Sequence, residues 1–189
     1  MTLFLALSLI CVIIAVSIAY INRGKEKDFF DFMLEQSFNA KNELKGYLLE
    51  EDAADKTAYQ AQLILYAYIC CDTALGDCTK RQAKKLAALY MLIVQQHLIT
   101  FPHKEQNTIR AYIEQHGITT LCNYQKIFMG SAKSKWTLLD SLGRTVYAQI
   151  IKNNTSGKYE NLQEEQELSF SDIGEICTDT IKGIRSCLP

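Results

Sequence analysis

The chain has 189 residues, with 20 Lys and Arg against 21 Asp and Glu, and a net charge of −1 at pH 7. This balance excludes the strongly basic class of nucleic-acid-binding proteins, so we expect no nucleic-acid partner. All of these charged residues follow residue 22, so a short uncharged segment precedes a body of ordinary single-domain length.

The uncharged segment is long enough to cross a bilayer. Leu3 to Ile21 is a 19-residue run in which only two serines interrupt the apolar side chains. As a helix it would extend about 28 Å, close to the roughly 30 Å of a hydrocarbon core. The sequence therefore predicts a transmembrane signal-anchor helix over residues 1–22, with residues 3–21 in contact with the membrane.

The residues that flank this segment predict its orientation. Arg23, Lys25 and Lys27 follow the apolar run, and no Lys or Arg precedes it. Positive residues favour the cytoplasmic side of a membrane. We therefore expect a single-pass protein whose C-terminal body, residues 23–189, lies in the cytoplasm.

Three other interpretations of the segment remain open. Ser17-Ile18-Ala19 is suitable for cleavage of a secretory signal before Tyr20, although the basic start typical of such signals is missing. That alternative would make the body secreted or periplasmic. A lipoprotein signal ending at Cys11 lacks the expected small residue before the cysteine, and a buried apolar helix is the third interpretation.

The cysteine content is compatible with a body on either side of the membrane. An exported domain with six cysteines could form three disulfides, and Asn153-Asn154-Thr155 and Asn154-Thr155-Ser156 are two overlapping glycosylation acceptor sequences. In a cytoplasmic domain the same residues would be buried thiols. The spacing contains no Cys-x-x-Cys pair, so no metal site is predicted. The six cysteines after the segment are Cys70, Cys71, Cys78, Cys122, Cys177 and Cys187.

The body contains only two prolines and few alternating apolar and polar residues, which predicts an all-α fold. We expect a bundle-like domain of roughly six helices. Residues 118–129 are ambiguous, although their apolar residues fit one helical face. The predicted helices cover residues 27–50, 55–75, 79–99, 103–115 and 133–152, with a last helix from about residue 171.

Residues 55–99 are predicted to form a central helical hairpin. Leu63 to Cys71 is a run of nine apolar residues, which is typical of a buried helix and too short for a span. Gly76 is placed to end that helix in a left-handed conformation. Thr79 and Gln82 have the spacing of a capping box at the start of the next helix.

The positions of three other glycines predict where helices break, end or cross. Gly24 is a weak point at which the anchor and the first helix of the body either continue or separate. Gly117 is predicted to stop the fourth helix, with His116 capping its C-terminus. Gly143 lies on the apolar stripe of its helix, which indicates a close helix crossing.

Lys80, Arg81, Lys84 and Lys85 form a basic stretch at the start of the third helix. They would contact anionic lipid headgroups if the hairpin lies near the membrane. The alternative is an ordinary solvated helix start.

No catalytic motif, phosphate loop or metal-binding motif is present, so we predict no cofactor and assign no catalytic residue. His97, His103 and His116 are the available general bases, and an enzyme with an unrecognised Cys and His site is the third hypothesis for function. The first is a membrane-anchored binding or scaffolding module that holds a protein partner at the membrane. The second is an exported helical protein with up to three disulfides.

Overall fold

The structure is a computed structural model that describes the backbone of residues 2–76, 80–129, 135–153 and 169–188. Side chains are described for residues 24–76, 84–126, 139–153 and 169–188.

Across the described backbone the chain forms six α-helices, one short 3-10 helix and no β-strand, which confirms the all-α prediction. The 3-10 helix covers Glu50–Asp52. The α-helices are α1 (Thr2–Lys45), α2 (Lys56–Leu75), α3 (Lys80–Leu98), α4 (His103–Met129), α5 (Lys135–Ile150) and α6 (Phe170–Ser186).

Helix α1 is one uninterrupted helix of 44 residues. It continues through Gly24, where an added Cβ would meet no atom of the described residues within 4 Å beyond the local helix backbone. The predicted end of this helix at residue 50 is wrong, because the helix stops at Lys45. Leu48 is nevertheless buried, and its carbonyl oxygen accepts a hydrogen bond of 2.5 Å from the Tyr59 hydroxyl. The apolar spacing therefore extends beyond the end of α1, because Leu48 is buried in the turn that follows the helix.

Among the helices whose side chains are described, none has both the length and the apolar character needed to cross a bilayer. The predicted transmembrane segment, residues 1–22, lies outside those side chains.

Helix α2 occupies the centre of the bundle and contacts each of the other five helices. It is buried over almost its whole length, including all of residues 58–71, as its apolar run predicts. The Asp55 side chain caps its start by accepting a 3.0 Å hydrogen bond from the Ala58 amide. Gly76 ends it with φ of 71° and ψ of −161°, a conformation open to glycine almost alone.

Contacts along α1 give the bundle two distinct ends. At the end where residues 24–33 of α1 lie, which we call the proximal end, the Cys71 thiol of α2 donates to the Met33 carbonyl oxygen at 3.6 Å. At the opposite end, the distal end, Tyr59 of α2 reaches Leu48 just beyond α1. Helices α1 and α2 are therefore antiparallel.

Helices α5 and α6 pack with their backbones almost in contact. A Cβ added at Gly143 would lie 1.7 Å from the Phe170 carbonyl oxygen, and one added at Gly174 would lie 2.0 Å from the Leu139 carbonyl oxygen. The close crossing predicted at Gly143 is confirmed. The two contacts also show that α5 and α6 are antiparallel.

The predicted stop at Gly117 is wrong, because α4 runs through it to Met129. An added Cβ there would lie 3.4 Å from the Tyr90 hydroxyl and 3.7 Å from a Leu65 methyl carbon, so the glycine sits where α4 faces α3 and α2. His116 is consequently in mid-helix, with its ring 4.6 Å from that of Tyr112, and it caps no helix end. The predicted capping box of Thr79 and Gln82 lies outside the described side chains.

Candidate functional site

The junction between α1 and α3 contains the most unusual polar group among the described residues. Ser37 and Lys41 are four residues apart on α1, so they lie on one helix face. His97 faces them from the last turn of α3. All three side chains are buried, with exposed fractions of 0% for Ser37 and His97 and 7% for Lys41.

Ser37 lies within hydrogen-bond distance of two groups. Its hydroxyl can donate to the Leu34 carbonyl oxygen at 2.7 Å. His97 Nε2 lies 3.0 Å from Ser37 Oγ, and which of these two atoms donates depends on the imidazole tautomer. His97 Nδ1 is buried without a hydrogen-bond partner in the described part of the chain.

The surroundings of this group keep His97 neutral. Burial, with a contribution from Lys41, lowers the pKa of His97 from its ordinary 6.5 to about 3. The Phe38 ring stacks on the imidazole with 4.0 Å between centroids. Burial, followed by repulsion from Lys45, lowers the pKa of Lys41 to about 8.

Activation of Ser37 as a nucleophile would require a general base to accept its proton and a substrate to reach it. Ser37 and His97 are both fully buried. The cluster joins α1 to α3 through a buried hydrogen bond, and we therefore interpret it as a structural contact.

The predicted thiols separate into a buried and an exposed group. Burial raises the pKa of Cys71 and of Cys177 to about 12, and it raises the pKa of Cys70 well above its usual value. Such thiols carry very little thiolate, which is the nucleophilic form. Cys122 and Cys187 are exposed, and all five of these cysteines are free.

The remaining predicted residues lie at the surface or outside the described side chains. Lys25 and Lys27 are exposed, whereas the side chains of Arg23 and Cys78 lie outside the described set. Within the described residues, no group of three or more His, Cys, Asp or Glu side chains is arranged to hold a metal ion. His97 makes its described hydrogen bond to Ser37, not to a cysteine.

A second buried polar group connects α2, α4 and the end of α5. Gln62 Nε2 donates to the hydroxyl oxygens of Tyr112 and Thr120, both at 3.2 Å. The Tyr112 hydroxyl in turn donates to Asn153 Oδ1. Asn153, the first asparagine of the predicted glycosylation sequence, therefore has its side chain engaged in the fold, and Asn154 lies outside the described residues.

Sequence reasoning missed Ser37 and Lys41. A signal was present, because both lie between the apolar positions Met33, Ala40 and Leu44, all of which are buried. Polar residues on the apolar face of a helix indicate a buried polar contact. The identity of the partner, His97, depends on the packing of α3 and could not be read from the pattern of α1.

The distal end presents exposed apolar side chains. Tyr47 and Leu49, which follow α1, are 51% and 53% exposed, and Ile99, which follows α3, is 62% exposed. Glu50, Glu51 and Asp52 lie in the same turn as Leu49. This end therefore combines apolar and acidic groups.

Comparison of the chain with protein-family models, with characterised proteins and with solved structures finds no match.

Proposed function

We propose that this chain is a single-pass, membrane-anchored helical module that binds a protein partner and holds it at the membrane. The observation that carries the proposal is the continuity of α1 from Thr2 to Lys45. One helix contains the apolar run of residues 3–21 and also packs into the bundle.

A continuous helix makes the anchor a rigid one. A helix of this length extends about 66 Å, and its C-terminal half contacts α2, α3 and α6. Met33 and Leu44, on its inner face, are fully buried. The bundle would therefore be held at a defined height and orientation above the bilayer, with Lys25 and Lys27 exposed at the cytoplasmic boundary.

The described side chains favour binding over catalysis. Ser37 is fully buried, and its hydroxyl has the Leu34 carbonyl oxygen as an acceptor at 2.7 Å. The buried thiols Cys70, Cys71 and Cys177 have raised pKa values. These are properties of packed structural groups.

The distal end is the surface that we propose for the partner. It lies farthest from the anchor, and Tyr47, Leu49 and Ile99 offer apolar area that a partner would bury. Apolar and aromatic anchors supply most of the binding free energy in protein interfaces.

Vesicle flotation tests the anchor. The full chain should float with phosphatidylcholine vesicles and resist extraction by alkaline carbonate. Ile10→Arg with Ile14→Arg should abolish flotation, since each arginine at the centre of a span costs about 3 kcal/mol. Ile10→Val with Ile14→Val is the matched control and should still float. Recovery of the unaltered chain in the unbound fraction would contradict the proposal.

Photocrosslinking in cells tests the partner surface. A benzophenone side chain at Leu49 should form a discrete adduct with another protein. The same group at Met91, which is 54% exposed against 53% for Leu49, is the matched control. Equal adducts at both positions, or none at Leu49, would contradict the assignment of the distal end.

A further inference from the structure

We propose that the proximal end of the bundle is a basic surface that contacts the headgroups of anionic lipids in the membrane crossed by α1. The inference rests on the proposed function, because it requires α1 to be inserted.

An ion pair places the start of α3 beside the predicted membrane boundary. Lys85 Nζ lies 2.9 Å from Glu26 Oε1 on α1. Glu26 is five residues beyond Ile21, which corresponds to about 7–8 Å along the helix axis. The headgroup layer on each side of a bilayer is roughly 5–8 Å thick. Lys85 therefore lies at the outer edge of the headgroups when residues 3–21 span the hydrocarbon core.

Other helix ends lie at the proximal end as well. Gln125 near the end of α4 donates to Asp72 near the end of α2 at 3.4 Å. Arg185 near the end of α6 donates to the Thr73 carbonyl oxygen at 3.0 Å. The neighbouring Lys126 is exposed. The proximal end thus gathers the start of α3 and the ends of α2, α4 and α6.

The start of α3 is rich in positive residues. Residues 80–85 contain four Lys and Arg and no Asp or Glu, Lys126 lies near the end of α4, and α5 begins at Lys135. The turn at the distal end instead carries Glu50, Glu51 and Asp52.

The proximal acidic groups offset this positive charge only in part. Glu26 is paired with Lys85, and Asp72 accepts a hydrogen bond from Gln125. Asp28 and Asp31 lie on α1 and are exposed. A basic start of α3 facing the bilayer is the orientation that a negatively charged leaflet favours. Each Lys or Arg near such a surface strengthens binding about fivefold.

Residue-resolved amine labelling of the full chain in vesicles tests this surface. An impermeant amine reagent, read out by mass spectrometry, compares vesicles of phosphatidylcholine with vesicles containing about one third phosphatidylserine. Lys84 and Lys126 should react several-fold more slowly in the anionic vesicles. Salt at about 1 M should remove this difference, because the Debye length falls to about 3 Å. Lys45, Lys56 and Lys104 are exposed distal controls and should react equally in both.

Two double substitutions test whether the protection from amine labelling depends on positive charge. Lys84→Gln with Lys126→Gln should reduce the protection that phosphatidylserine gives to Lys85, and Lys56→Gln with Lys104→Gln should leave it unchanged. Equal labelling of Lys84 in both vesicle types would overturn the inference. So would equal protection by inorganic phosphate with neutral vesicles, since the proposed ligand is a lipid surface.

Flotation separates this inference from the proposed function. A chain that floats with neutral vesicles but shows no lipid-dependent protection would contradict the basic surface alone. A chain that does not float with neutral vesicles would contradict both.

Discussion

The backbone of α5 at Gly143 meets the backbone of α6 at Phe170, with 1.7 Å between an added Cβ and the carbonyl oxygen. A methyl group cannot occupy that position unless the helices separate. Gly143→Ala should therefore destabilise the fold by about 1–3 kcal/mol or more, as overpacking does. Urea unfolding followed by circular dichroism measures the change.

Gly183→Ala is the matched control for Gly143→Ala. It also lies in an α-helix, but among the described residues no atom outside the local helix backbone would come within 4 Å of its added Cβ. Alanine there should stabilise the protein by about 0.5–1 kcal/mol through its higher helix propensity. Equal effects of the two substitutions would contradict the close crossing.

The stability of the protein should fall in mild acid because of His97. Its pKa is about 3 in the folded state and 6.5 ordinarily, so the unfolded chain takes up a proton first as the pH falls. The stabilisation is complete above pH 6.5 and is lost progressively toward pH 3. At pH 5 the loss should be about 2 kcal/mol, measurable by chemical unfolding across the pH range.

Substitution separates His97 from the other acid-sensitive groups. His97→Gln should flatten the slope of stability between pH 5 and 6.5 relative to the unaltered chain. An unaltered slope in His97→Gln would show that the imidazole is not held neutral in the folded state.

The buried charge of Lys41 should lower the free energy of unfolding at neutral pH. Its pKa is about 8 in the folded state against an ordinary 10.5, so the unfolded chain binds the extra proton between these values and stability rises with pH across that window. Lys41→Met keeps most of the side-chain volume and removes the buried charge. It should stabilise the protein by about 1–3 kcal/mol at pH 7, by thermal or chemical unfolding.

Lys104→Met at an exposed position is the control for Lys41→Met and should change stability by less than about 0.5 kcal/mol. A destabilised Lys41→Met protein would mean that the contact between Lys41 Nζ and the Phe101 ring, 4.7 Å to its centroid, outweighs the burial of the charge.

The described cysteines should divide into thiols that react rapidly with maleimide and thiols that are protected from it. Cys122 and Cys187 are exposed, whereas Cys70, Cys71 and Cys177 are buried. Maleimide labelling with peptide mapping should modify the first two in the native protein and the other three only after unfolding. Rapid native labelling of Cys177 would contradict the packing of α6 against α2.

The parts of the fold that depend on local pattern could be predicted from the sequence. The apolar run in α2 indicated its burial, and the place of Gly143 on an apolar stripe indicated the crossing with α6. Gly76 was predicted to end α2 in a left-handed conformation; it ends the helix with a positive φ, but its ψ of −161° lies outside the left-handed helical region. In each case the residue type and its spacing were sufficient.

One incorrect prediction and two missed residues concern positions whose role depends on a distant neighbour. Gly117 resembles a helix stop in sequence, but Tyr90 and Leu65 approach it in mid-helix. Ser37 and Lys41 were missed, because their contacts to His97 and Phe101 arise from the packing of α1 against α3 and the turn that follows it. The spacing of residues along one helix does not identify which other helix or turn packs against it.

The intact mass of the membrane-extracted protein tests the central claim most directly, which is that the apolar run remains part of α1 as an anchor. The account predicts a membrane-bound chain that retains the segment, with a mass of 21.5 kDa. A mature protein that begins at Tyr20 and appears in the soluble fraction would contradict it.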